Sequence, residues 1–210
     1  MKYSKEFKEA ISHLTDKEKD KLILRLLKKD PKLANRLMFE LVSDQTIEER
    51  REEVEERILT KADDTAKYFH SVGYLNMDVR YLSGEISEHV YNTKDKFGEV
   101  YLNLKMINQI LSVNHDNFKN LRHNSSSRKF YTAVIARAFK ILILISKLHE
   151  DHWMELEEEL NKFGNLIGDN HNLMETAIFN GLDVNWLLKL NIPKDIVEYH
   201  KDLRQQGYLK

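Results

Sequence analysis

The chain contains no cysteine. That excludes disulfides, thiol nucleophiles and thiolate-bound zinc, and is compatible with the cytoplasm, where the protein is expected to reside. Only 2 prolines and 7 glycines occur in 210 residues, so the punctuation that short strands and tight hairpins need is scarce and helices are favoured. No charge of one sign dominates: the formal net charge is −1 and the pI about 6.8. Global electrostatics therefore give no reason for binding nucleic acid or a membrane surface, and any such activity must come from a local patch. Long apolar runs are missing as well. The longest, Ala133 to Ile145, includes Arg137 and Lys140 and is far shorter than the roughly 20 apolar residues that cross a bilayer. The start, Met1 to Ala10, alternates Lys and Glu with single apolar residues, unlike the uninterrupted apolar stretch of a signal peptide, so neither secretion nor a membrane partner is expected.

Catalytic signatures are also lacking. The sequence has no Gly-x-x-x-x-Gly-Lys loop, Gly-x-Gly-x-x-Gly turn, Gly-x-Ser-x-Gly elbow or His-Glu-x-x-His helix, so the common nucleotide-binding and hydrolase classes lose their marks. His149-Glu150-Asp151-His152 gathers metal-competent side chains, but two histidines three residues apart at a helix junction need a third ligand from elsewhere. Glu85, Glu88 and His89 have the wrong spacing for a di-iron bundle. Ser125 to Ser127 with His123 suggests a nucleophile and base, yet serines before a helix are more often a cap. No metal, cofactor or catalytic residue is expected.

What is present is helical patterning. Hydrophobic residues make up 41% of the chain and charged residues 32%, as in a globular protein with a heavily charged surface. A single all-α domain over 1–210 is expected, an irregular bundle or short α-solenoid of about eight to ten helices, with a possible helical-hairpin subdomain at 1–43. Thr15 with Glu18, and Thr46 with Glu49, form capping boxes, and Asp30-Pro31 supplies a cap followed by proline at the first helical position. Leu22, Ile23, Leu26 and Leu27 give the first full helix a stripe expected to be buried. Ile47, Val54, Ile58, Ala62, Ala66 and Phe69 trace a narrower stripe on a long solvated helix that Gly73 is expected to end. Further helices are predicted at Asp78–Asn92, Val100–Val113, Ser125–His149, His152–Leu166, Asn172–Asn180 and Pro193–Gln206. Val100 to Leu104 alternates like a strand, but no second such segment can pair with it, so it is read as helix.

The Ser125–His149 helix is apolar around most of its circumference and is the best candidate for the middle of the fold. Its cations Lys129, Lys140 and Lys147 fall on one line of the helical wheel, with Arg137 to one side. From Lys119 to His149 the sequence has seven Lys or Arg and no Asp or Glu. Two readings follow. Ser126, Arg128, Lys129, Arg137 and Lys140 can form an anion site at a helix start, for a phosphate-bearing ligand or RNA. Alternatively the stripe is neutralised by the acidic run Glu150–Glu159 or by the acidic helix around Glu48–Glu56. Tyr68, Tyr74, Tyr81, Tyr91 and Tyr101 cluster before residue 104 and furnish either a binding surface or ordinary amphipathic packing.

The segments Phe7-Lys8-Glu9-Ala10-Ile11, Lys17-Glu18-Lys19-Asp20-Lys21-Leu22-Ile23-Leu24-Arg25-Leu26-Leu27-Lys28-Lys29-Asp30 and Ser71-Val72-Gly73-Tyr74-Leu75-Asn76-Met77-Asp78 resemble uncharacterised all-helical proteins from Bacteroidetes. The resemblance extends over most of the chain. Some members carry an automatic label of deoxyuridine triphosphate nucleotidohydrolase, which implies a magnesium-dependent all-α pyrophosphohydrolase. Such enzymes clamp magnesium with Glu-x-x-Glu on one helix and Glu-x-x-Asp on the next. Glu49 with Glu52, Glu53 with Glu56, Glu85 with Glu88 and Glu155 with Glu158 match the first half, but none is followed by the second. The favoured expectation is a non-enzymatic helical adaptor or scaffold with a protein partner; the dUTPase-like hydrolase is the alternative.

Overall fold

The computed structural model describes residues 3–119, 121 and 124–210. Among them are twelve helices and no strand: α1 Lys5–Ser12, α2 Asp16–Leu27, α3 Pro31–Val42, α4 Ile47–Lys67, α5 Val72–Thr93, α6 Lys96–Val113, α7 His115–Lys119, α8 Ser125–Ile145, α9 Asp151–Gly168, α10 His171–Phe179, α11 Asn185–Leu188 and α12 Ile196–Gln205. The all-α expectation holds. The count exceeds eight to ten because α7 and α11, of five and four residues, are too short to carry a periodic signature. No helix among the described residues is long and apolar enough to cross a membrane.

The predicted caps form. Glu18 accepts from the Thr15 backbone N–H at 2.9 Å, and Glu49 accepts from that of Thr46 at 2.8 Å. Asp30 accepts from Leu33 N–H at 3.0 Å, with Pro31 opening α3. Gly73 does not end α4. That helix stops at Lys67, and Ser71 starts α5 by accepting from Tyr74 N–H at 3.4 Å, which places Gly73 inside the new helix's first turn. A serine three residues ahead of a free N–H is a stronger boundary than an isolated glycine.

The chain divides into two compact units, residues 1–45 with 91–93, and Thr46–Val90 with Lys94–Lys210. In the first, α2 packs on α3, but no residue of α1, α2 or α3 is buried. The stripe expected to be buried on α2 is not: Leu22 and Leu27 are half-buried, while Ile23 and Leu26 are exposed. Helices of 8 to 12 residues are too few and too short to enclose a core.

The second unit has one continuous core. Its helix α6 packs against α4, α9 and α8 and is buried on several faces, through Val100, Leu102, Leu104, Met106, Ile107 and Ile110 among others. It therefore shares the centre with α8, whose Phe130, Tyr131, Val134, Ile135, Phe139, Leu142 and Ile145 are buried. The outer helices show the narrower stripe of one-sided packing: Leu75, Val79, Leu82 and Ile86 on α5, and Leu156, Leu160, Phe163 and Ile167 on α9. Polar side chains tie the layers together. Lys105 of α6 sits 2.8 Å from Glu159 of α9 and 3.7 Å from Glu55 of α4, while Asn108 donates to Glu159 Oε2 at 2.7 Å and to the Glu159 carbonyl at 2.8 Å. Burial opposes the Lys105 charge, but these carboxylates outweigh it and raise its pKa above the ordinary lysine value.

Two helical glycines should respond oppositely to alanine. A Cβ at Gly84 on α5 meets nothing within 4 Å, whereas one at Gly164 on α9 would lie 2.6 Å from Leu188 Cδ2 and 2.8 Å from its Cγ. Gly84→Ala should stabilise by up to about 1 kcal/mol through helix propensity, and Gly164→Ala should destabilise by about 1 kcal/mol because overpacking outweighs that gain. Urea midpoints moving in the same direction for both would contradict the close α9–α11 approach.

Candidate binding groove

The basic residues of α8 do not gather in one place. Asn124 caps the helix, its Oδ1 accepting from the backbone N–H of Ser126 at 2.9 Å and of Ser127 at 3.0 Å, while Ser127 Oγ accepts from Asn124 N–H at 3.0 Å. The N–H groups that an anion would use at Ser126 and Ser127 are thus taken by the chain itself. His123, the base paired with these serines in one reading, lies outside the described residues.

Two to three turns further on, Arg137 donates to Asn103 Oδ1 at 2.6 Å and to Ser83 Oγ at 2.7 Å, while its Nε finds no acceptor among the described residues. Burial pushes its pKa down to about 10, which still leaves it charged at neutral pH. Lys140 pairs with Glu99 of α6 at 2.9 Å. That partner belongs to neither of the acidic segments suggested by sequence; α6 delivers it because it packs directly on α8.

Arg128 and Lys129, in contrast, line a groove of about 750 Å³ together with Ser125 and Thr132 of α8, Glu175 to Asn180 except Ala177 from the α10 segment, and Lys210. No ion pair reaches Arg128, Lys129 or Lys210 among the described residues. Among the described lining residues, three basic side chains therefore stand beside one acidic side chain, Glu175. Ile178 and Phe179 are 67% and 71% exposed, although they follow directly on the buried Ala177. The groove's far wall is fixed by Asn180, which is buried. Its amide donates to the Thr176 carbonyl at 2.8 Å, and its Oδ1 accepts from Leu209 N–H at 2.8 Å. The Arg204 guanidinium donates to the Leu209 carbonyl, and the Tyr208 ring stands edge-on to Phe179 at 5.7 Å. Lys210 is thereby carried to the groove by a braced segment. Sequence reasoning missed Ile178, Phe179 and Lys210, since an apolar pair at a helix end and a distant lysine carry no periodic signal.

A second polar centre lies where α5 meets α6. Lys94, in the left-handed region at φ 63°, turns the chain from one helix into the next, and Asp95 caps α6 by accepting from Gly98 N–H at 2.7 Å. Arg51 of α4 donates to the same carboxylate through Nε at 2.6 Å and Nη2 at 3.1 Å, and His89 Nε2 lies 3.1 Å from Oδ2. The Asp95 and His89 side chains are buried, and the cluster ties α4, α5 and α6 together.

The Glu-x-x-Glu pairs are dispersed. Glu49 caps α4, Glu53 pairs with Arg50, Glu85 binds Arg57 and Lys61, and Glu155 meets His152. His149 contacts Asp151 at 3.1 Å on the surface. Among the described residues no three His, Asp or Glu side chains converge as a metal ion requires. Tyr101 donates to Glu55 at 3.2 Å, whereas Tyr68, Tyr74 and Tyr81 are exposed. Comparison of the chain with protein-family models, with curated proteins and with solved structures finds no match to any of them.

Proposed function

We propose that this chain is a cytoplasmic helical binding protein, an adaptor that grips an acidic, amphipathic protein segment in the groove between α8 and α10. The observation that carries the reading is the pair of exposed apolar side chains, Ile178 and Phe179, set beside Arg128, Lys129 and Lys210, which form no ion pair among the described residues. Exposed apolar side chains rimmed by charge mark recognition surfaces. The cations select for acidic partners and speed encounter, while the apolar pair supplies the anchor. The resemblance of its segments to uncharacterised all-helical proteins supports reading it as a non-enzymatic member of that group.

The test is a photo-crosslinking amino acid installed at Phe179 in the native cell, with the adducts identified by mass spectrometry. One protein, joined through an acidic segment with apolar residues at helical spacing, is expected. Combined Arg128→Glu and Lys129→Glu should reduce that adduct about tenfold or more, with the circular dichroism spectrum unchanged because both side chains are exposed. Adducts that survive the charge reversal, or that consist of RNA, would refute the proposal. So would pyrophosphate release from dUTP and Mg²⁺ by the pure protein that vanishes on changing Glu49 and Glu52.

A further inference from the structure

A different cavity, of about 410 Å³, opens between the C-terminal half of α4 and the first four turns of α5. Helical spacing builds both walls. On α5, Tyr74, Asp78 and Tyr81 stand at i, i+4 and i+7, so they share one face; on the α4 side, Asp64 and Tyr68 stand at i and i+4. The three tyrosines are 69%, 56% and 67% exposed at positions 68, 74 and 81. No ring contact joins them to one another among the described residues; Tyr74 meets only His70, at 4.8 Å. They are spaced around the cavity and do not fill it by packing.

The charges of the cavity do not cancel. Its lysine, Lys61, is held by Glu85, which also takes Arg57 at 2.9 Å. Asp64 and Asp78 remain, and neither has a hydrogen bond or an ion pair to its side chain among the described residues. Asp78 is half-buried, and burial raises its pKa above the ordinary carboxylate value. Tyrosine faces attract cations through the ring quadrupole, and two examples exist among the described residues: the Lys67 ammonium lies 5.0 Å from the centre of the Tyr68 ring, and that of Lys105 lies 5.2 Å from the centre of Tyr101. An anion would meet two carboxylates here, and a neutral apolar ligand would leave Asp78 desolvated without compensation. A cation with an apolar skin satisfies both the rings and the carboxylates.

We infer that the cavity bounded by Tyr68, Tyr74, Asp78 and Tyr81 is a binding site for a trimethylammonium group. The group can arrive on a small soluble molecule or on a trimethylated lysine of a protein, and the site is independent of the α8–α10 groove.

Titration of the full chain with choline, with a short trimethyl-lysine peptide and with 3,3-dimethyl-1-butanol, the neutral isostere of choline, tests it through amide chemical shifts. Choline or the peptide should shift the amides of Tyr74, Asp78 and Tyr81 in a saturable way, with the neutral isostere binding about tenfold more weakly. Tyr81→Ala and the shape-conserving Asp78→Asn should each weaken binding about fivefold while the remaining amide spectrum keeps the folded pattern. Tighter binding of the peptide than of choline assigns the group to a protein; the reverse assigns it to a small molecule. Equal shifts from choline and its neutral isostere, no saturable shift from either ammonium probe, or unchanged affinity in both variants would overturn the inference.

Discussion

Asp95→Ala is expected to lower the unfolding free energy by about 3–5 kcal/mol, the range for removing one partner of a buried ionic cluster. The side chain is 4% exposed and serves three elements at once: both carboxylate oxygens take the Arg51 fork, one also meets His89, and the other caps α6 through Gly98 N–H. Truncation takes the two-oxygen acceptor from Arg51, which keeps Glu48 at 3.8 Å, leaves His89 without this acceptor and uncaps a helix in the core. Exposed pairs such as Lys119 with Asp116 should cost no more than about 1 kcal/mol. Gly98→Ala should reproduce much of the loss, since a Cβ there would run into the Asp95 carboxylate and lie 2.9 Å from Arg51 Nε. Urea denaturation followed by circular dichroism reads Asp95→Ala, Gly98→Ala and, as the exposed control, Asp116→Ala.

The same cluster sets an acid response. Burial disfavours the Asp95 charge, but hydrogen bonds from His89, Arg51 and the Gly98 N–H outweigh it and hold the pKa at about 2. A depressed carboxylate contributes stability that is fully present above its unfolded value and is lost as pH falls through the folded one. The contribution, about 2 kcal/mol, should therefore fade from about pH 4 downward to about pH 2. Asp95→Asn removes that increment while keeping the shape. Its urea midpoint should consequently fall less than the wild type's between pH 5 and pH 2.5, and parallel curves would show that Asp95 is not the group responsible.

Phe139→Ala should also cost about 3–5 kcal/mol, through lost burial and an unfilled cavity. The ring is fully buried in α8, and its centre lies 6.4 Å from that of Trp186, 6.3 Å from that of Tyr199 and 5.5 Å from that of His200. It is therefore the point where α11 and α12 are fastened to the central helix. Trp186 emission should shift to the red in the variant, because its neighbouring ring is gone and water gains access. Phe179→Ala, at a 71% exposed site, should stay within about 0.5 kcal/mol of wild type. A Phe139→Ala loss below about 1 kcal/mol would mean that this aromatic seam collapses to fill the space.

The parts of the fold that sequence disclosed were those decided locally. Capping boxes at Thr15 and Thr46 and the Asp30-Pro31 start depend on residues within one turn, and α8 announced its burial by being apolar nearly all round. Asp95 with Gly98 has the spacing of a cap, but its partner Arg51 lies on another helix, and only the packing of α4 on α6 brings it there. The basic stripe divided for the same reason. Lys140 faces a helix that offers Glu99, whereas Arg128 and Lys129 line the groove between α8 and α10. Nor does tyrosine spacing alone distinguish Tyr101, engaged with Glu55, from Tyr74 and Tyr81, which face a cavity.

The three-helix contact through Lys105 has a consequence for alignment. Leucine and isoleucine surfaces are nearly indifferent to a slip of one turn, since one branched apolar side chain replaces another in the same hole. An ammonium held between Glu55 and Glu159, with Asn108 fixed to the Glu159 backbone one turn away, tolerates no such slip, because each misplaced polar atom would lose its partner in a half-buried site. The polar line through α4, α6 and α9 thus selects one sliding position among several that the greasy surfaces alone would accept.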